Sequence, residues 1–139
     1  MKWLLDTSSL SELNKPRPFE GFIRWLQTNE QLCAVSVLSI GEIVLGIEQM
    51  PEGKRRRSVE RYLKFLREDF VGQTLDFTEG TAVEWGRLVA AAGTRGRNLP
   101  VIDSQIEATA IHFGLIVVTR NARDFFYPVF NPWEQPDSR

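Results

Sequence analysis

Four acidic residues in this chain stand where an apolar run gives way to a turn or a helix. Trp3-Leu4-Leu5 runs straight into Asp6-Thr7-Ser8, and Glu42 lies just past the apolar stretch that ends near Val37. Asp103 follows Pro100-Val101-Ile102, and Asp124 sits in the loop after Leu115-Ile116-Val117-Val118-Thr119. A short apolar run ending in an acid reads as a buried strand with a carboxylate at its carboxyl end. In open α/β sheets that end faces the ligand crevice. A carboxylate there is poorly solvated and needs a partner. Carboxylate oxygens with no His or Cys companions suit hard divalent cations such as Mg²⁺ or Mn²⁺. His112 is the only histidine, too few for a zinc site or a Ser-His-Asp triad, and it is expected partly exposed on a helix. A metal held by acids lowers the pKa of a bound water and neutralises charge on a phosphate, so acids alone support phosphodiester hydrolysis.

Each acid also has a purely structural alternative. Asp6 and Asp103 fit helix N-caps, Glu42 fits half of a capping box with Ser39, and Asp124 fits an Asx-turn before Phe125. Four such acids at strand ends and helix starts, taken together, favour a metal site.

The elements that must position them alternate. After the first strand, residues 8–14 form a short helix stopped by Lys15-Pro16-Arg17-Pro18, and Phe19, Phe22, Ile23 and Leu26 mark an amphipathic helix to about Asn29. Residues 32–37 form the second strand, and Ser39 caps the helix carrying Glu42. Pro51-Glu52-Gly53 breaks the chain before a helix striped by Val59, Tyr62, Leu63 and Leu66, a face suited to the core or to a dimer contact. A short strand within 71–77 leads to a long helix capped by Thr78, with Ala82, Trp85, Val89 and Ala92 inward. The loop 93–98 precedes a helix bearing Ile106, Ala110 and Ile111 and closed by Gly114. Residues 115–119 are the strongest strand, and Val129-Phe130 adds an edge strand before Asn131-Pro132-Trp133. Strands alternating with helices imply an α/β fold with a mainly parallel sheet covered on both faces.

Composition sets the outer limits. With 139 residues, 42% hydrophobic and 25% charged, the chain suits one globular domain spanning 1–139. No apolar run is long enough for a transmembrane helix, and no secretory signal is visible, so a cytoplasmic protein is expected. Cys33 stands alone as a packed thiol. The net charge of -1 excludes a bulk attraction to nucleic acid. Local cations remain: Lys54-Arg55-Arg56-Arg57, read as the solvated first turn of a helix, and Arg95, Arg97, Arg120 and Arg123 in the C-terminal third, candidates for RNA phosphates.

Several of these segments resemble the motifs of PIN-domain nucleases, in order across almost the whole chain. They are residues 4–13, Ser39-Ile40-Gly41-Glu42-Ile43, Pro100-Val101-Ile102-Asp103-Ser104-Gln105-Ile106 and Val118-Thr119-Arg120-Asn121-Ala122-Arg123-Asp124-Phe125. The tail Asn131-Pro132-Trp133 is similar to the FitB-like branch of VapC toxins. The resemblance implies a PIN-like three-layer α/β/α sandwich and a Mg²⁺- or Mn²⁺-dependent ribonuclease, the toxin of a type II toxin–antitoxin pair. It assigns Asp6, Glu42 and Asp103 to the metal, Asp124 to completing the acidic pocket, Thr7 and Thr119 to supporting hydroxyls, and Asn121 to orienting an acid or a phosphate. It also implies a homodimer blocked by a cognate antitoxin, with operator DNA bound only through the antitoxin complex.

Two departures stand out. Glu107 replaces a small residue one helical turn after Asp103 and is expected on the surface, with an outer metal contact as the alternative. Ser8 and Ser9 replace larger residues. Ser8 also weighs against a phosphatase of the haloacid dehalogenase type, which needs a second Asp at that place. The remaining alternative is a non-catalytic binding module whose partner recognises DNA.

Overall fold

The apolar runs found in the sequence become four short strands in a computed structural model that describes residues 1–134. The last five positions of the predicted 1–139 unit lie outside the described residues. In chain order the elements are β1 (Trp3–Leu5), α1 (Thr7–Glu12), α2 (Glu20–Asn29), β2 (Cys33–Ser36), α3 (Val37–Glu48), α4 (Lys54–Asp69), β3 (Thr74–Leu75), α5 (Glu79–Thr94), α6 (Val101–Phe113) and β4 (Ile116–Val118). Single 3₁₀ turns cover Glu30–Leu32 and Ala122–Asp124.

All strand pairings are parallel, in the order β3-β2-β1-β4. Leu4 stands opposite Ala34 on one side and Val117 on the other. Because side chains alternate along a strand, Leu5, Cys33, Val35 and Val118 face one way and Leu4, Ala34 and Val117 the other. The first set packs with Leu10, Phe22, Ile43, Val59, Leu66 and Phe70 from α1–α4. The second packs with Ile106, Ala110 and Phe125. Helices therefore cover both faces, as the α/β/α reading requires. Burial pushes the Cys33 thiol up to about 12, in keeping with a packed side chain. No helix among the described residues is long and apolar enough to cross a membrane.

The chain leaves β1 to build β2 and β3 on one side, then returns to place β4 on the other. The crevice between the carboxyl ends of β1 and β4 is thus a topological switch point, the usual ligand position in such sheets. Asp6 and Thr119 are the first residues past those two strands.

Several local expectations shift. Ser36, not Ser39, caps α3: its hydroxyl accepts from Leu38 N at 3.0 Å. Ser39 is buried inside the first turn, which removes Glu42 from any capping box. On α5, Thr78 is the cap as expected, but the buried positions are Thr81, Leu88 and Ala92, with Trp85 half-buried; Ala82 and Val89 are exposed. The stripe 81, 85, 88, 92 has helical spacing and faces α6, where Trp85 Nε1 donates to Ser104 Oγ at 2.9 Å. The small Ala82 and branched Val89 mimicked a core face one residue out of phase. The predicted strand within 71–77 shrinks to Thr74–Leu75, and the edge strand at Val129-Phe130 to one parallel bridge from Phe130 to Val118. Val59, Tyr62, Leu63 and Leu66 lie in the monomer core. The basic run 54–57 does open a helix, with Arg56 tied to Glu48, Glu52 and Glu60.

Candidate functional site

Asp6 ends β1 and caps α1. Its Oδ1 accepts from Ser9 N at 2.8 Å, and Ser8 Oγ donates to both carboxylate oxygens at 2.9 and 3.0 Å. The structural role expected as an alternative is therefore real, and it orients the carboxylate at the mouth of the crevice. Ser9 Oγ donates to Val118 O at 2.9 Å, stitching this turn to β4. Both serines that depart from the expected pattern thus take part in holding Asp6.

Thr7 links β1 to α3. Its Oγ1 lies 2.9 Å from Ser39 Oγ and donates to Glu42 Oε1 at 2.5 Å. With Ser36 as the cap, Ser39 reaches Thr7 from the first turn of α3 and Glu42 reaches it one turn on. Thr119 is fully buried, and its Oγ1 accepts from Asn121 N at 2.9 Å, shaping the turn that carries Asp124. Asn121 is exposed and contributes this backbone N–H; its own N-terminal neighbour Arg120 offers its carbonyl to Asn131 Nδ2 at 3.4 Å. Asp103 sits in the first turn of α6, whose N-cap is Pro100, so Asp103 is not the cap. Its carboxylate lies at the positive end of that helix.

The four acids meet electrostatically. Burial, and then the charges of Asp124, Asp6 and Glu42, push the Asp103 carboxyl up to about 6. None of the four belongs to an ion pair among the described residues. They are neighbours rather than a closed cage: among the described residues no three His, Cys, Asp or Glu side chains stand in a metal-holding group. Asp6 and Glu42 are occupied by the hydroxyl and amide donors just described, and like charges do not gather unaided. The donor chemistry nonetheless fits a hard divalent cation. Every candidate is a carboxylate oxygen, and the only histidine lies exposed at the far end of α6.

Glu107 corrects the surface expectation. It is only 3% exposed, and its two oxygens accept from Phe126 N at 2.9 and 3.1 Å and from Tyr127 N at 2.7 Å. Burial pushes this carboxyl up, while those N–H groups and the Arg97 charge pull it down. Arg97 is also recast. Its Nη2 donates to Arg123 O at 2.9 Å and Phe125 O at 3.1 Å, the carbonyls on either side of Asp124. Together Glu107 and Arg97 clamp the Asp124 turn to α6 and to the end of α5. The available signal was the setting of Glu107 among Ile106, Ala108 and Ala110, all buried. Arg95, Arg120 and Arg123 are exposed.

Residues 3–128 match the PIN domain family. The chain is similar to Toxin FitB of Neisseria gonorrhoeae, 33% identical over 135 residues, covering 94% of this chain and 97% of that protein. It is 30% identical over 136 residues to VapC ribonuclease Y4jK of Sinorhizobium fredii, covering 94% and 97%. Among solved structures, FitAB bound to an IR36 DNA fragment superposes with a TM-score of 0.88 at 30% identity over 99% of both chains, and FitAcB from Neisseria gonorrhoeae with a TM-score of 0.87 at 31% identity over 96% of this chain and 99% of that one.

Two outcomes follow from this geometry. Asp103 has a folded-state pKa near 6 against an ordinary 3.8, so its ionisation opposes folding. That penalty is absent below about pH 4 and fully present above about pH 6. Asp103→Asn is therefore expected to melt higher than the parent at pH 7.5 in chelator, with the gap closing toward pH 4. An equal or lower melting temperature at pH 7.5 contradicts a penalty for ionising Asp103 in the folded state. Glu107→Ala strips the acceptor from two backbone N–H groups and should cost roughly 1–3 kcal/mol in urea unfolding, with Glu107→Gln milder. A loss below about 0.5 kcal/mol contradicts the clamp.

Proposed function

The chain belongs to the PIN-domain family, and on that premise we propose that it is a metal-dependent endoribonuclease, the toxin of a type II toxin–antitoxin module. One observation carries the reading: the charges of Asp124, Asp6 and Glu42, from three separate segments, all act on the Asp103 carboxyl, and none of the four acids is ion-paired among the described residues. The similarity to a VapC ribonuclease and to a FitB toxin supports the activity.

In this reading Asp6, Glu42 and Asp103 hold Mg²⁺ or Mn²⁺, and Asp124 completes the acidic pocket. When bound, the ion lowers the pKa of a water and neutralises charge gathering on the scissile phosphate. The chain supplies the rest. Asp6 is fixed by Ser8 and Ser9, and Glu42 is fixed by Thr7, so their carboxylates need little reordering. Thr119 holds the turn that presents Asp124, and Asn121 orients an acid or a phosphate from that same turn. Arg120 and Arg123, exposed beside Asp124, attract the RNA backbone. Water adds to phosphorus, the bond to O3′ breaks and O3′ takes up a proton, leaving a 5′-phosphate and a 3′-hydroxyl. The proton given up by the attacking water passes to a carboxylate of this edge, and Asp124, which is not assigned to the metal, is the one placed to take it.

The partners follow from the same kinship: a cognate antitoxin that covers the acids, and operator DNA reached through the antitoxin complex; a similar structure, FitAB, is bound to an IR36 DNA fragment. The protein works as a cytoplasmic homodimer.

Asp6→Asn tests the activity with little structural cost, because Asn is as good an N-cap as Asp. The variant should melt no lower than the parent and lose Mn²⁺- or Mg²⁺-dependent RNA cleavage by more than roughly 100-fold. Sequencing the cut ends of total cellular RNA should show 5′-phosphates. Full cleavage by the folded variant, free of contaminating nuclease, refutes the assignment.

A further inference from the structure

A cleft of about 680 Å³, lined by Ala91, Thr94, Arg95, Arg97, Phe126 and Tyr127, opens beside the turn that carries Asp124, which Arg97 holds by the carbonyls of Arg123 and Phe125. One wall is the last turn of α5; the other is the segment directly after Asp124. Tyr127 is 49% exposed and meets the Phe126 ring edge-on, with centroids 4.9 Å apart. Arg97 lies over the Phe126 ring with its guanidinium carbon 6.0 Å from the centroid. Arg95 is exposed and belongs to no ion pair among the described residues.

This wall is built, not incidental. Glu107, buried to 3% exposure, spends both carboxylate oxygens on the backbone of Phe126 and Tyr127. Arg97 pins the carbonyls of Arg123 and Phe125. The two rings are therefore held at a fixed offset from Asp124, three residues or fewer along the chain. Arg97 is committed to that wall, which leaves Arg95 as the cation facing a ligand. A presented aromatic ring next to a cation is the recognition chemistry of unpaired nucleotides: the ring takes a base face and the cation a phosphate. A duplex keeps its base faces covered and cannot use it.

We propose that this cleft is a subsite for an unpaired RNA nucleotide flanking the scissile bond, with its base stacked on Tyr127 and its phosphate paired with Arg95. The inference rests on the nuclease reading above and adds to it a base-stacking subsite built from Tyr127 and Arg95.

The test uses the full chain carrying Asp6→Asn, in Mg²⁺, with a short unstructured fluorescein-labelled RNA read by anisotropy. Adding Tyr127→Leu should weaken binding roughly 10-fold, while Tyr127→Phe, which keeps the ring, stays within about twofold. Arg95→Gln should weaken binding and lower the slope of log affinity against log salt by about 0.7. Lys64→Gln, on the exposed face of α4, should change neither. In the otherwise native enzyme Tyr127→Leu and Arg95→Gln should raise KM with little change in kcat. Unchanged RNA affinity in both Tyr127→Leu and Arg95→Gln overturns the subsite. So does equal loss with Tyr127→Phe, or a loss confined to binding of the antitoxin protein. If the native enzyme cleaves RNA while these variants match it, only the subsite falls. If the native enzyme neither binds nor cleaves RNA, the nuclease reading falls first.

Discussion

The constraint on which this structure turns is the crowding of four carboxylates at one edge of a parallel sheet. No lysine or arginine among the described residues forms an ion pair with any of them. Burial first, and then the charges of its three neighbours, raise the Asp103 carboxyl to about 6, so its ionisation opposes folding. A fold that keeps this arrangement must hold each acid in place by other means. Here the means are hydroxyls and backbone amides: Ser8 and Ser9 on Asp6, Thr7 on Glu42, and Thr119 on the turn that carries Asp124. These donors satisfy the carboxylates without neutralising them, so the edge stays negative and open to a cation.

Topology explains how acids so distant in sequence come to share that edge. In a parallel sheet every strand delivers its carboxyl end to the same side. With the order β3-β2-β1-β4, the central strand β1 has β2 on one flank and β4 on the other. Asp6 follows β1, Glu42 rides the helix after β2, and Asp124 follows β4. Asp103 arrives differently, from the N-terminus of α6, which packs against Leu4, Ala34 and Val117. The apolar packing of α6 thus sets the depth of Asp103, and its length carries Glu107 back to the loop beyond Asp124. Core packing and site geometry are the same set of contacts seen from two ends.

Most of this was legible in the residues. Apolar runs ending in acids located β1, the region after β2, and β4, and their alternation with helices implied the parallel sheet. What the sequence concealed lay in side chains whose choice between partners depends on tertiary contact. Ser36 and Ser39 are both sound helix caps three residues apart, and only Thr7, from another element, decides that Ser39 serves the site. Ala82 and Val89 looked like a core face because small and branched residues suit either environment. Glu107 and Arg97 are charged residues that read as solvent-facing until the loop they hold is in place. A buried carboxylate with both oxygens on backbone amides leaves no local pattern beyond its apolar neighbours, Ile106, Ala108 and Ala110.

The central claim is that the four carboxylates exist to receive a divalent cation. Its most direct test is the anomalous scattering of Mn²⁺ soaked into crystals of the protein. The account predicts a manganese peak in the crevice between the ends of β1 and β4, with Asp6 and Asp103 among its ligands. A crystal saturated with Mn²⁺ that shows no peak at that edge, or places it away from these acids, would contradict it.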